Sequence, residues 1–271
     1  LSKVVFCLSA VLGVFLLSAC EDSKAYFRYS VAKICDEDPT TCAALSPDGW
    51  CKAERETVIS SDFLVAKLGD DKERYNLLQN YQSYIACMEV ASTIIHKANR
   101  AKTDARVEGL IFAKDELAKL ELSTTESDNA YLLFYHWSVK RDENAKAQFL
   151  ALEGQEVLRN TFFQLSLARY YAEIDPQKSL DILFYALTLY TVEETIDNDH
   201  FAMITNRLMR LKQYEKAYVW ALVYQNYAQD AASTDLSYLQ QIMDLSAEQR
   251  SGFEQQADDL IELIDKRHFR I

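Results

Sequence analysis

Glycine and proline are scarce in this chain. Six glycines and three prolines among 271 residues are too few for a β-sandwich or barrel, which needs a turn signal about every 8–12 residues. With so little glycine there is also no phosphate-cradling loop and no Gly-x-Ser-x-Gly nucleophile elbow. Histidine is nearly as rare. His96, His136, His200 and His268 lie far apart, and none has a partner at metal-ligand spacing, so structural histidines are expected and no metal site. Cys-x-x-Cys is absent, which argues against a zinc site on the cysteines. Positive charge is in deficit, with 29 Lys and Arg against 41 Asp and Glu and a net charge of −12. Such a chain repels nucleic-acid phosphate and anionic headgroups, so no nucleic-acid partner is expected. No cofactor motif occurs, and no cofactor is expected.

What is present begins with Lys3, an apolar stretch Val4–Leu17, and the small residues before Cys20. That is the layout of an export leader, and the apolar stretch is short of the roughly 20 residues a membrane-spanning helix needs. Leu17-Ser18-Ala19-Cys20 resembles a bacterial lipobox. The resemblance implies cleavage before Cys20 and lipidation of its sulfur. Residues 1–19 are then a cleaved signal peptide, and 252 residues remain with a net charge of −13, because the leader carries only Lys3. An acidic chain has no basic patch to hold it on a bilayer, so the membrane partner is reached through the lipid. One acyl chain binds marginally and stable anchoring takes more, and lipoproteins of this type carry several. Glu21 rather than Asp follows the cysteine, which points to the outer membrane, periplasmic face.

Cys7 leaves with the leader, and Cys35, Cys42, Cys51 and Cys87 remain. An even number in an oxidising compartment suggests two disulfides. Three pairings are possible and spacing does not choose among them. The expected one is Cys51–Cys87, pinning a loop to a long helix, with Cys35–Cys42 closing a turn around Pro39.

The scarcity of breakers and the three- and four-residue apolar spacing indicate an all-α protein of stacked antiparallel helical hairpins. Residues 20–30 read as a lipidated tether, 31–127 as an N-terminal disulfide-stapled helical region, and 128–271 as a helical-repeat region. A long helix is expected over about 72–101, capped by Asp70 with Glu73 completing a capping box. Its apolar face is Leu78, Tyr81, Ile85, Met88, Ser92 and Ile95, with Tyr84 and Ala91 beside it. Another helix is expected over roughly 104–120.

From 128 onward the pattern recurs. Leu133, Trp137, Ala145, Phe149 and Leu150 return 34 residues later as Leu167, Tyr171, Ser179, Leu183 and Phe184. Ala217, Ala221 and Leu222 repeat the second half after 38 more. The turns are Arg141-Asp142-Glu143, Asp175-Pro176 and Lys212-Gln213. Asp175 before Pro176 is a good N-cap, and Ser246-Ala247-Glu248-Gln249 opens a final helix with a capping box. A period near 34 with a small residue opening each second helix is similar to tetratricopeptide-type (TPR) repeats. The resemblance implies a right-handed solenoid with capping helices at both ends. It departs from that family where the first-helix glycine would fall, at Leu133, Leu167 and Thr205, and no unit has the late proline.

One catalytic reading is worth testing. Some helical cell-wall glycosidases carry their catalytic Glu before a Ser, as in Glu126-Ser127 here. A general-acid Glu needs an apolar pocket to raise its pKa. Ser123-Thr124-Thr125-Glu126-Ser127-Asp128 is instead polar throughout, a solvated helix start. No catalytic residue is assigned. Asp36-Glu37-Asp38 lacks the alternating ligand spacing of a calcium loop. The aromatic clusters, Tyr131 to Trp137 and Tyr214 to Tyr227, are expected mainly as core.

Taken together, the lipobox, Asp48-Gly49-Trp50-Cys51, Cys87-Met88-Glu89 and Ala217-Tyr218-Val219-Trp220-Ala221 resemble an uncharacterised family of Gram-negative lipoproteins. The resemblance implies location and paired cysteines, and no activity. The expected function is a non-enzymatic adaptor that binds another envelope protein. The alternative is a peptidoglycan hydrolase or a glycan-binding structural lipoprotein.

Overall fold

The computed structural model describes residues 26, 28–47, 49–95, 99–228 and 236–270. Cys20, the leader, Asp48 and His96 lie outside them. Among the described residues there are thirteen α-helices, one 3-10 turn and no strand. The chain divides into two compact units, residues 1–151 and 152–271.

In the first unit, α1 (Val31–Glu37) and α2 (Pro39–Ala44) are short. Asp38 separates them and caps α2 by accepting from Thr40 N at 3.2 Å. They pack on α3 (Lys52–Leu68), which forms a hairpin with α4 (Asp71–Ala91), and α4 packs in turn on α5 (Arg100–Thr124). Gly69 closes α3 at φ +64, a left-handed conformation that costs a Cβ-bearing residue free energy. The core comprises Ile34, Leu45, Val58, Ile59, Phe63, Leu77, Tyr81, Tyr84, Met88 and Ala113. A further hairpin, α6 (Ala130–Ser138) with α7 (Glu143–Ala151), docks on α4 through Leu132 and Tyr135 against Leu78. This contact places the hairpin in the first unit, so the compact units meet 24 residues beyond the 127/128 boundary read from the repeat.

The expected helix over 72–101 is broken. It ends at Ala91, and α5 starts at Arg100. Ser92 and Thr93 divert the backbone: Ser92 Oγ donates to Glu89 O and Thr93 Oγ1 to Val90 O. Such local bonds compete with the helical ladder. Asn99 then caps α5 by accepting from Lys102 N at 3.2 Å. Ile95, expected on the apolar face, is therefore 76% exposed. Asp70 does cap α4, accepting from Lys72 N at 2.8 Å. Glu73 accepts from Asn76 Nδ2 instead of closing a capping box.

The second unit runs α8 (Thr161–Ile174), α9 (Pro176–Leu187), α10 (Asn198–Arg210), α11 (Tyr214–Tyr227), α12 (Leu236–Met243) and α13 (Ala247–Asp265). Helices α8 and α9 form one hairpin, α10 and α11 the next, and α12 and α13 cover α11. Asp175 caps α9 by accepting from Lys178 N, with Pro176 at its first position. Ser246 and Gln249 form the capping box of α13. The small residues opening the second helix of each hairpin, Ala145, Ser179 and Ala217, are buried. Ser179 Oγ donates to Ala168 O at 2.7 Å across its hairpin, a contact that only a small side chain permits. The core is Leu165, Leu180, Leu183, Phe201, Ile204, Leu208, Tyr218, Trp220, Leu239 and their neighbours, and burial of each large side chain contributes about 1.5–3 kcal/mol.

Candidate functional site

All four cysteines beyond Cys20 are paired, Cys35 with Cys42 and Cys51 with Cys87. The first bridge ties α1 to α2. The second ties the residue just before α3 to the last turns of α4. Together they fix the loop after α2, and further bonds hold it. Arg55 of α3 donates to Cys42 O at 2.6 Å and to Leu45 O at 3.3 Å, satisfying carbonyls at the end of α2. Tyr84 Oη accepts from Ser46 N at 3.1 Å.

This loop lies directly on α5. A Cβ at Gly109 would sit 2.8 Å from Ser46 N and 3.0 Å from Tyr84 Oη, so only glycine lets helix and loop meet there. Three residues earlier, Arg106 is 1% exposed. Its Nη1 donates to Ala91 O at 2.8 Å, at the carbonyl end of α4, where the helix dipole favours a cation. Its guanidinium carbon lies 5.8 Å from the centre of the Trp50 ring, within cation–π range. Trp50 itself is 57% exposed. The two separated motifs, Gly49-Trp50-Cys51 and Cys87-Met88-Glu89, thus come together through the disulfide, and Glu89 pairs with Lys114 of α5 at 2.7 Å.

Among the described residues, Cys51, Glu54 and Cys87 form the one grouping with metal-ligand reach. Its two sulfurs are bonded to each other, and a disulfide has no thiolate to offer a metal. Asp36, Glu37 and Asp38 belong to no such grouping. Glu126 is exposed in the turn after α5, not at a helix start, since Asn129 caps α6. The protein does not enclose it in the apolar pocket that a general acid needs.

The histidines are structural where described, save the exposed His268. His136 is buried, with Nε2 3.1 Å from Thr124 Oγ1, and burial lowers its pKa. His200 is fully buried, and its Nε2 lies 2.8 Å from Leu183 O. Burial lowers its pKa from 6.5 to about 4. In the first unit Asp62 accepts from Thr41 Oγ1 and its pKa is raised, chiefly by burial.

A polar network that the sequence did not announce holds α6 in place. Tyr135 Oη donates to Glu121 Oε1 at 2.8 Å and accepts from Gln82 Nε2 at 3.0 Å, while Lys140 reaches Glu121 Oε2 at 2.7 Å. Burial and the Glu121 carboxylate both push the Tyr135 phenol up. Arg106 and Gly109 were missed as well. Their signal was present, because Arg106, Gly109, Leu110, Ala113, Leu117 and Leu120 share one stripe at three- and four-residue spacing. No described helix is long and apolar enough to cross a membrane.

These features define an all-α protein of helical hairpins whose N-terminal unit is stapled by two disulfides. Over residues 17–222 the chain matches the family described as Protein of unknown function (DUF2989), and it belongs to that family. No curated protein and no solved structure matches it.

Proposed function

We propose that this chain is an exported lipoprotein, acylated on Cys20, whose hairpins form a TPR-like surface that binds a protein partner in the cell envelope without chemistry of its own. One observation carries the reading. Every cysteine downstream of the lipobox is paired, Cys35 with Cys42 and Cys51 with Cys87, as suits an oxidising compartment. Five residues lie between Cys20 and Tyr26, and these six chain steps reach at most about 21 Å. A lipid on Cys20 therefore holds the first unit close to the bilayer, and Glu21 directs it to the periplasmic face of the outer membrane. The buried small residues Ala145, Ser179 and Ala217, at corresponding places in successive hairpins, support the TPR-like reading.

Two experiments test the proposal. Cys20→Ala should release the protein from the membrane fraction or block its processing; unchanged membrane retention with normal processing refutes the anchor. Crosslinking in intact envelopes followed by affinity capture should recover a defined protein partner. Recovery of none counts against the adaptor reading, and release of muropeptides from purified peptidoglycan that Glu126→Gln abolishes overturns it in favour of an enzyme.

A further inference from the structure

The second unit carries an open cleft of about 450 Å3 where the α10–α11 turn faces the start of α13. Its walls include Tyr214, Met243 and Leu245, all packed at the edge of the unit's hydrophobic core. Lys212 and Lys216 line it too, as does Gln249. Among the described residues, neither lysine's side chain has an ion-pair or hydrogen-bond partner. Glu215 is the one carboxylate in the lining, and Asp244 lies between Met243 and Leu245 in the chain without lining the cleft.

The setting makes these lysines unusual. The chain carries a net charge of −12, yet Arg207, Arg210, Lys212 and Lys216 fall within ten residues against Glu215 alone. Arg210 pairs with Glu173 and Arg207 donates to Ser179 Oγ. Among the described residues, that leaves the side chains of Lys212 and Lys216 as the cations of this stretch without a protein partner. An apolar wall beside unpaired ammonium groups matches an anion that carries an apolar neighbour, in a volume typical of ligand sites.

We infer that this cleft binds an acidic segment of a protein partner. A Glu or Asp carboxylate meets Lys212 and Lys216, and an adjoining aliphatic side chain rests on Met243, Leu245 and the Tyr214 ring. The inference rests on the protein-binding reading and says where, and with what chemistry, the partner is held. Because the cleft is open, the bound chain can continue past it on either side, which favours a side-chain carboxylate over a chain terminus. Exposed ammonium groups make the contact sensitive to salt.

Methionine is rare enough to report on the site. The chain has four, Met88, Met203, Met209 and Met243, and Met88 is buried in the first unit. The test is a titration of the full-length chain in mild detergent, labelled with 13C at the methionine methyls. The probes are acetyl-Glu-Leu-amide, acetyl-Gln-Leu-amide and acetyl-Gln-Leu with a free carboxylate. The Glu probe should shift Met243 saturably and leave Met88 unmoved. The Gln-amide probe should bind at least ten-fold more weakly, as should the Glu probe after Lys212→Gln with Lys216→Gln. Unchanged Met88 and Met203 resonances show that the double variant is folded. An unmoved Met243, equal binding of the Gln-amide probe, or no effect of the double variant overturns the proposal; tighter binding of the free-carboxylate probe overturns the side-chain assignment. Envelope crosslinking separates the two levels. A partner captured equally by wild type and double variant removes this cleft and spares the adaptor reading, whereas no partner from wild type removes the adaptor reading itself.

Discussion

Replacing Gly109 with Ala should unfasten the N-terminal loop from α5. The added methyl would meet the Ser46 amide nitrogen at 2.8 Å and the Tyr84 hydroxyl at 3.0 Å. Backbone cannot swing aside as a long side chain can, so the loop must lift. Overpacking of this kind costs about 1–3 kcal/mol. Lifting the loop also strains the Ser46 N to Tyr84 Oη bond of 3.1 Å, worth about 1 kcal/mol. Helix propensity offsets about 1 kcal/mol of this, because Ala is the better helix former. The net expectation is a loss of about 2 kcal/mol, or about 1 M in the urea midpoint. Gly252 is the control. It is exposed within α13, and a methyl added there would have nothing within 4 Å, so Gly252→Ala should gain about 0.5–1 kcal/mol from propensity alone. Urea unfolding followed by tryptophan emission measures both, and hydrogen exchange read by mass spectrometry locates the loss in the first unit. Equal or greater stability of Gly109→Ala, or the same sign of change for both variants, refutes the close-contact argument.

Two other outcomes follow from the same geometry. Replacing Cys51 and Cys87 together by Ala should cost about 4 kcal/mol, and replacing Cys35 and Cys42 about 2 kcal/mol, since the sequence separations are 36 and 7 and chain-entropy stabilisation grows with loop length; the reverse order by urea unfolding counts against this pairing, as do reactive thiols under denaturing, non-reducing conditions. His200 should make the second unit acid-sensitive. Its native pKa of about 4 lies below the ordinary 6.5, so between these values the unfolded chain takes up a proton that the native one refuses. Its contribution is fully present above 6.5 and falls as pH drops towards 4, by about 3 kcal/mol at most. His200→Gln should flatten this part of the stability profile, and an unchanged slope between pH 7 and 4 would show that His200 is not its source.

Helix identity and several helix ends were legible because they depend on neighbours in the chain. Asp70, Asp175 with Pro176, and Ser246 with Gln249 announce their caps within three or four residues. Some close helix crossings were legible through residues that must be small there, such as Ser179 against Ala168 O. The break after Ala91 was not. Ser92 and Thr93 fit the helical spacing, and the competition between their hydroxyl bonds and the helical ladder leaves no mark on periodicity. Glu73 carried the letters of a capping box but bonded to Asn76 instead. Of the site, both disulfides match the expected pairing, while Arg106 and Gly109 passed as ordinary residues on an apolar stripe.

Composition and spacing by themselves determined that this chain is helical, acidic and supplied with an even set of cysteines beyond Cys20. Those properties follow from local backbone preference and from counting. Tertiary structure decided which cysteines meet, why α5 needs a glycine at 109, and how Arg106 is buried against Ala91 O beneath an exposed Trp50. It also gathered Lys212, Lys216, Met243 and Leu245 around one cleft. Each of these depends on the distance between residues far apart in the chain, and that distance is set by how whole helices pack.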